Sequence, residues 1–455
     1  MRSNIIRFSM SKLICEEPNH VTTVWEHGIP ENVAFACLSQ RLCIEFNSAK
    51  YNTDEETQIA SHMRLCLKID PNNQFIMSSA GSEPVLAEAA ATIMQMGSFK
   101  AAESLKKVVS GFGVNKGDRG ELVGLLAVTR ARDLAVRKRL DKFELSGAPG
   151  VLPLTDEQRN PVFRAVTVME LLSQLFSLKK MEESDLAGLS ADFEDAYVYF
   201  NHFVRPFNRS TCTLRYLLQY MTRGAAILCS ANMPGIDAAI GILFKSAKGI
   251  RFQEDQMSVI LLQMKNDITI TKKRDRVAIE QNIEHTARGV LKDAENPRPI
   301  IRMTFAFGSK EELSYSKSSI TLDNGKSVTT HDFWCGGIEN LLPDDDESKS
   351  SWAALLVATM KSKELFEEKD ARFKEFAAER VYLAPGGSNE SPFWGWIEET
   401  TNVMKEGEGE ENKGAKSHAT TPKTRSVEQI QKVGSREGKA AATKAPASQS
   451  KRKRA

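Results

Sequence analysis

Three short apolar runs between Met221 and Asp267 constrain this chain more than any other feature. They read Arg223-Gly-Ala-Ala-Ile-Leu-Cys229, Met233-Pro-Gly-Ile-Asp-Ala-Ala-Ile-Gly-Ile-Leu-Phe244 and Ser258-Val-Ile-Leu-Leu-Gln-Met-Lys-Asn-Asp267. Each is short and bounded by Gly, Pro or charge, which predicts three consecutive buried β-strands in place of helices. Side chains alternate across a strand, so Gln263 and Lys265 share one face while Ile260, Leu262 and Met264 share the other. A Gln and a Lys at the end of an apolar strand must be solvated, paired or used. Asp237 raises the same question, because it interrupts Ile236, Ala238, Ala239 and Ile240 in the preceding strand. If the two strands are neighbours, the three polar side chains converge on one point.

An Asp on one strand, followed on the next by an acidic or amide residue two places before a Lys, resembles the signature of the PD-(D/E)XK, or restriction-endonuclease-like, nuclease superfamily. Here it reads Gly235-Ile-Asp237 and Gln263-Met-Lys265. The resemblance implies a divalent cation, Mg²⁺ or Mn²⁺, bound by Asp237 and Gln263, with Lys265 orienting the attacking water. Gln263 departs from the usual Glu or Asp. Its amide oxygen suits a hard cation but carries no charge, so metal affinity should be lower than with two carboxylates.

The superfamily core runs helix, three strands, helix, strand, and the chain offers these in that order. Residues 117–133 carry Leu122, Leu125, Leu126 and Thr129 on one helical stripe, residues 276–288 read as the second helix, and residues 298–308 as the last strand. The resemblance also implies a metal-site Glu from the first helix, for which Glu121 is the candidate. Asp118, three residues earlier, supports a competing reading in which it is the N-cap and Glu121 closes a capping box. For Asp237 the competing reading is a turn or strand-end residue, and for Lys265 a snorkelling edge lysine.

At 455 residues and 41% hydrophobic content, the chain can bury a sizeable core in two or three structural units. The expected fold class is α/β, with a restriction-endonuclease-like core over 106–310. That core would contain a long helical insertion at 140–222. A mixed, helix-rich unit is expected over 1–105, an α-rich extension over 311–403, and a disordered basic tail over 404–455. Within the insertion, Tyr197, Tyr199, Phe200 and Phe203 form an aromatic stripe that reads first as core and alternatively as a platform for stacked bases. In the N-terminal unit, Ser82 is the expected N-cap of a helix with Pro84 in its first turn.

The formal charge of +2 conceals an asymmetry, since residues 401–455 hold 13 Lys or Arg against 6 Asp or Glu and the remainder is net acidic. Nucleic-acid contact therefore needs a local basic groove and not a global field. The seven cysteines include no C-x-x-C pair, which argues for a reducing compartment and against a zinc module. His20, His27 and His62 share no metal-ligand spacing. No apolar run approaches the roughly 18 residues a membrane span requires, so the expectation is an intracellular protein without membrane contact. Lys451-Arg452-Lys453-Arg454 is a weak nuclear-import signal, with a solvated tail as the alternative.

Ser82-Glu-Pro-Val-Leu-Ala-Glu-Ala-Ala-Ala91, Gly117-Asp-Arg-Gly-Glu-Leu-Val123, Phe200-Asn-His-Phe203, Pro234-Gly-Ile-Asp237 and Gln263-Met-Lys-Asn266 together look like a group of fungal proteins. Those are similar to the Crinkler and retrotransposon-hot-spot type of mobile-element-associated proteins. That type joins a P-loop ATPase to a restriction-endonuclease-like domain, and this chain contains no G-x-x-x-x-G-K-[ST] loop. The expectation is a Mg²⁺- or Mn²⁺-dependent DNA endonuclease. The alternative is an inactive nuclease-fold protein that binds nucleic acid or another protein.

Overall fold

The computed structural model describes residues 2–16, 29–46, 53–69, 76–96, 98–111, 119–145, 165–206, 211–229, 233, 235–245, 253–265, 273–309, 311–345 and 347–364. In chain order the N-terminal elements are α1 (Arg2–Ile14), α2 (Glu31–Leu42), α3 (Thr53–Ser61), β1 (Arg64–Ile69), β2 (Ile76–Ala80), α4 (Pro84–Met94), α5 (Ala101–Gly111) and α6 (Arg119–Leu145). Next come β3 (Val166–Thr167), α7 (Val168–Leu175), α8 (Glu183–Asp192), β4 (Ala196–Val198), β5 (His202–Val204) and α9 (Leu214–Thr222). The chain continues with β6 (Ala225–Leu228), β7 (Ala238–Phe244), β8 (Met257–Lys265), α10 (Lys273–Val290), β9 (Ile300–Ala306), β10 (Ser314–Thr321), β11 (Ser327–Gly336) and α11 (Lys349–Glu364).

The three apolar runs form adjacent strands. β6 pairs antiparallel with β7, β7 antiparallel with β8, and β8 parallel with β9 after the crossover helix α10. The sheet extends through β11, parallel to β9, to the edge strand β10. On its other side it forks at β7, where β4 pairs with Ile242–Phe244 and β6 with Ala238 and Ala239. The fold is therefore mixed α/β around a mixed sheet, with the small β1–β2 hairpin separate from it.

Alternation divides the strands between two cores. Ala238, Ile240 and Ile242 of β7 and Ile260, Leu262 and Met264 of β8 join α2, α4, α5 and α6 on one face. Ala239 of β7 and Met257, Val259 and Leu261 of β8 meet α9 and α10 on the other. Both faces are covered, which is why these strands read as nearly continuous apolar runs.

Several expectations are corrected. Side chains of α1, α2, α4 and α5 share one hydrophobic cluster with α6 and the sheet, so the boundary expected near residue 105 does not interrupt the core. The region expected to be an α-rich extension contributes β10 and β11 before α11, because Tyr315, Phe333 and Cys335 complete the large core from the sheet edge. The insertion is not purely helical: β3, β4 and β5 join the sheet. Helix α7 starts at Val168 because Thr167 and Glu170 form a capping box, with the Glu170 N–H donating to Thr167 Oγ1 at 3.1 Å and the Thr167 N–H to Glu170 Oε2 at 2.8 Å. The N-cap of α4 is Glu83, with Pro84 at the first helical position, while Ser82 Oγ is hydrogen-bonded to His202 Nε2 at 3.0 Å. Asp118, His20, His27, the part of the expected extension beyond residue 364, the 404–455 tail and Lys451–Arg454 lie outside the described residues.

Candidate functional site

Asp237 precedes β7 directly, and Gln263 and Lys265 end β8. Ala238 is registered against Leu262, and the Asp237 N–H donates to the Leu262 carbonyl at 2.8 Å, so the ladder carries Asp237 up to the QMK segment. Gln263 Nε2 donates to Asp237 Oδ2 at 2.6 Å, and the Met264 N–H donates to the same oxygen at 2.5 Å. Gln263 is buried, in register with Thr304 of β9, and Lys265 is half-buried opposite Ala306. These two side chains are in phase with Leu261, on the face covered by α9 and α10.

Burial pushes the Asp237 carboxyl above its ordinary range. The Met264 N–H, the Lys265 charge and the Gln263 amide act in the opposite direction and offset part of that rise. Lys265 is thus electrically coupled to Asp237. The structure brings Asp237 and Gln263 into contact, with Lys265 two residues along on the same face.

Glu121 is placed differently. It occupies the first turn of α6, whose Gly124 faces Met264 so closely that an added Cβ would lie 2.6 Å from Met264 Cγ. That contact is on the large-core face, opposite Gln263. Glu121 lines a crevice with Glu45, Arg205 and Leu228. Its charge still reaches the Cys229 thiol, which is raised first by hydrogen bonding to Cys212 and burial and then by Asp237 and Glu121. The Cys229 N–H donates to the Asp237 carbonyl at 2.7 Å, so Cys229 lies between the influence of the two carboxyls.

The loop carrying Asp237 is pinned from below. Gly235 has φ +83°, and a Cβ there would lie 2.2 Å from the Asn282 carbonyl oxygen of α10. Only glycine satisfies both conditions. Gly235→Ala is expected to cost more than about 2 kcal/mol, combining left-handed strain with a backbone clash. It should also displace Asp237 two residues on. Urea denaturation checks the first effect, and loss of the Gln263 contact in a crystal structure of the variant checks the second.

The donor set fits an oxygen-ligated divalent cation in kind, offering a carboxylate and an amide that can turn its oxygen inward, although it supplies one formal charge where two carboxylates are usual. Among the described residues there is no cluster of three or more His, Cys, Asp or Glu side chains arranged to hold a metal. His62 is buried, with Nδ1 2.8 Å from the Leu13 carbonyl oxygen.

A second polar constellation was not anticipated from the sequence. Arg41 of α2 forms a bidentate pair with Asp133 of α6, at 2.5 and 2.9 Å, and its Nε donates to the Asn201 carbonyl at 2.9 Å. Asn201 Nδ2 donates to Glu88 Oε1 at 2.5 Å, and Asn201 Oδ1 lies 2.5 Å from His202 Nδ1. Arg132 Nη1 donates to Asp133 Oδ1 at 3.2 Å. All these side chains are buried. Two arginines face two carboxylates, so the charges balance and the network ties α2, α4, α6 and β5 together. The aromatic stripe is resolved as well: Phe193, Phe200 and Phe203 are core, while Tyr197 and Tyr199 are only half-buried.

No helix among the described residues is long and apolar enough to cross a membrane. Compared with known proteins, the chain matches no family model, no curated protein and no solved structure.

Proposed function

We propose that the Asp237 site belongs to a restriction-endonuclease-like core and serves divalent-cation-dependent hydrolysis of DNA phosphodiester bonds. The observation that carries this reading is the direct contact between Asp237 at the head of β7 and Gln263 at the end of β8, with Lys265 next on the same face. The helix, three-strand, helix, strand order with antiparallel, antiparallel and parallel pairing supports it. Asp237 and the Gln263 amide oxygen would hold Mg²⁺ or Mn²⁺, and Glu121 is the further ligand that the resemblance implies. The cation would supply charge neutralisation at the phosphate and a more acidic water. Lys265 contributes a positive charge toward the negative charge that develops on the phosphate oxygens. Fold does not determine activity, so the inactive nucleic-acid binder is the competing outcome of the same experiment.

Gln263→Glu provides the test. Without metal it sets two carboxylates at about hydrogen-bond distance, so they share a proton or repel, and the melting temperature should fall. Mg²⁺ or Mn²⁺ should restore the loss and raise the melting temperature further than in the parent. Plasmid nicking by the parent with Mn²⁺, stopped by chelation, is the parallel activity readout. Absence of any cation-linked stabilisation in both proteins defeats the metal reading. Salt-dependent DNA binding without nicking selects the binder.

A further inference from the structure

Beside the fork of the sheet lies a cavity that the Asp237 site does not use. β4 and β6 both pair with β7 on the same edge, at Ile242–Phe244 and at Ala238–Ala239, with Ile240 and Gly241 between the branches. Among the described residues, a cavity of about 600 Å³ lies beside the fork, bordered by Tyr197 of β4, Tyr199, Leu218 and Met221 of α9, Leu243 of β7 and Lys245. That volume is in the range of small-molecule sites. Tyr197, Tyr199, Leu218 and Leu243 are half-buried, so two phenol rings and two aliphatic groups stand open where the neighbouring Phe193, Phe200 and Phe203 are sealed in the core.

We propose that this cavity binds an unpaired nucleobase, stacked against Tyr197 or Tyr199, with the attached phosphate met by the Lys245 ammonium. The chemistry favours this occupant over a hydrocarbon chain for two reasons. Tyrosine faces stack any base without needing hydrogen-bond readout, and the exposed Lys245 ammonium bordering the cavity matches a phosphate. Leu218, Met221 and Leu243 supply the apolar walls that exclude water from the ring. Burial, with the Glu88 charge behind it, raises the Tyr199 hydroxyl to about 12, so the phenol stays neutral. The site is independent of metal binding at Asp237, and its success or failure leaves the nuclease reading untouched.

The experiment is calorimetric titration of the full chain, free of divalent cations, with AMP, dTMP, ribose 5-phosphate and a medium-chain fatty acid. AMP and dTMP should bind, AMP the tighter because a purine offers the larger stacking area, while ribose 5-phosphate should not. Tyr199→Ala should weaken AMP by about tenfold or more, and Lys245→Ala should weaken it and flatten its salt dependence. Leu218→Trp fills the cavity while leaving Tyr197, Tyr199 and Lys245 in place, and should abolish binding with the melting temperature retained. Fatty-acid binding without nucleotide binding overturns the proposal, as does AMP binding indifferent to Tyr199→Ala and Leu218→Trp, or no binding at all.

Discussion

Asp237→Asn should abolish the divalent-cation binding and DNA cleavage proposed for this site, yet leave the protein as stable as the parent, or more stable, at neutral pH. The reason is the environment of the carboxyl. Burial raises it above the ordinary carboxylate range, and the Met264 N–H, Lys265 and Gln263 offset only part of that cost. A carboxyl with a raised folded value favours folding when protonated, so its contribution is intact below the unfolded value near 4 and is lost as pH rises through the folded value. Asparagine keeps an oxygen for the Met264 N–H and removes the charge. The stability gap between Asp237→Asn and parent should therefore widen from about pH 4 upward, which a melting series across pH resolves. Asp237→Ala should behave differently, because it leaves the Met264 N–H and the buried Gln263 amide without their acceptor, at roughly 1–3 kcal/mol each. A severe loss of stability in Asp237→Asn at pH 8 would mean that the carboxylate is held for structure and not for a ligand.

Arg41→Ala should be among the most damaging single substitutions for folding, at about 3–5 kcal/mol, because it removes both shorter charged hydrogen bonds to the buried Asp133 and leaves it the longer one from Arg132. Arg41 is 0% exposed and Asp133 3%, so neither charge has water to fall back on. Burial would raise the Asp133 carboxyl, but Arg41, with Arg132 and Arg130 behind it, holds it below the ordinary range. That sign makes its contribution present above the unfolded carboxylate value and lost as pH falls through the folded one. His202 acts in the same direction. Burial first, then the charges of Arg41 and Arg223, lower it to about 4 from an ordinary 6.5. The unfolded chain takes up that proton and the folded chain refuses it, so stability should fall by about 3 kcal/mol between pH 6.5 and 4. Equilibrium urea unfolding across that range should show the decline, and His202→Gln should flatten it. Replacing Arg41 and Asp133 together by Met and Leu should recover most of the loss, since no uncompensated charge remains. If the double variant is as damaged as Arg41→Ala, cavity formation and not charge is the cause.

What the sequence by itself determined lies where the signal is local. Apolar runs of strand length between Gly, Pro and charge specified β6, β7 and β8, and period two put Gln263 and Lys265 on one side of β8 because successive side chains cannot share a face. Pro84 marked the start of α4 because its missing N–H costs nothing there. Thr167-Val-Met-Glu170 is a readable capping box that marks the start of α7, whereas amphipathic spacing alone says nothing about where φ and ψ change.

Only the tertiary structure decided which strands are neighbours. The antiparallel register of β7 on β8 turned Asp237 and Gln263 into a contact, and Gly235 against Asn282 fixed the approach. It also set Glu121 on a helix that packs on the face opposite Gln263, where Leu122, Leu125 and Leu126 are buried. The Arg41–Asp133 pair joins residues 92 positions apart. No local pattern marks such a pair, since a buried arginine looks in sequence like any other, and only the packing of α2 on α6 brings its partner within reach.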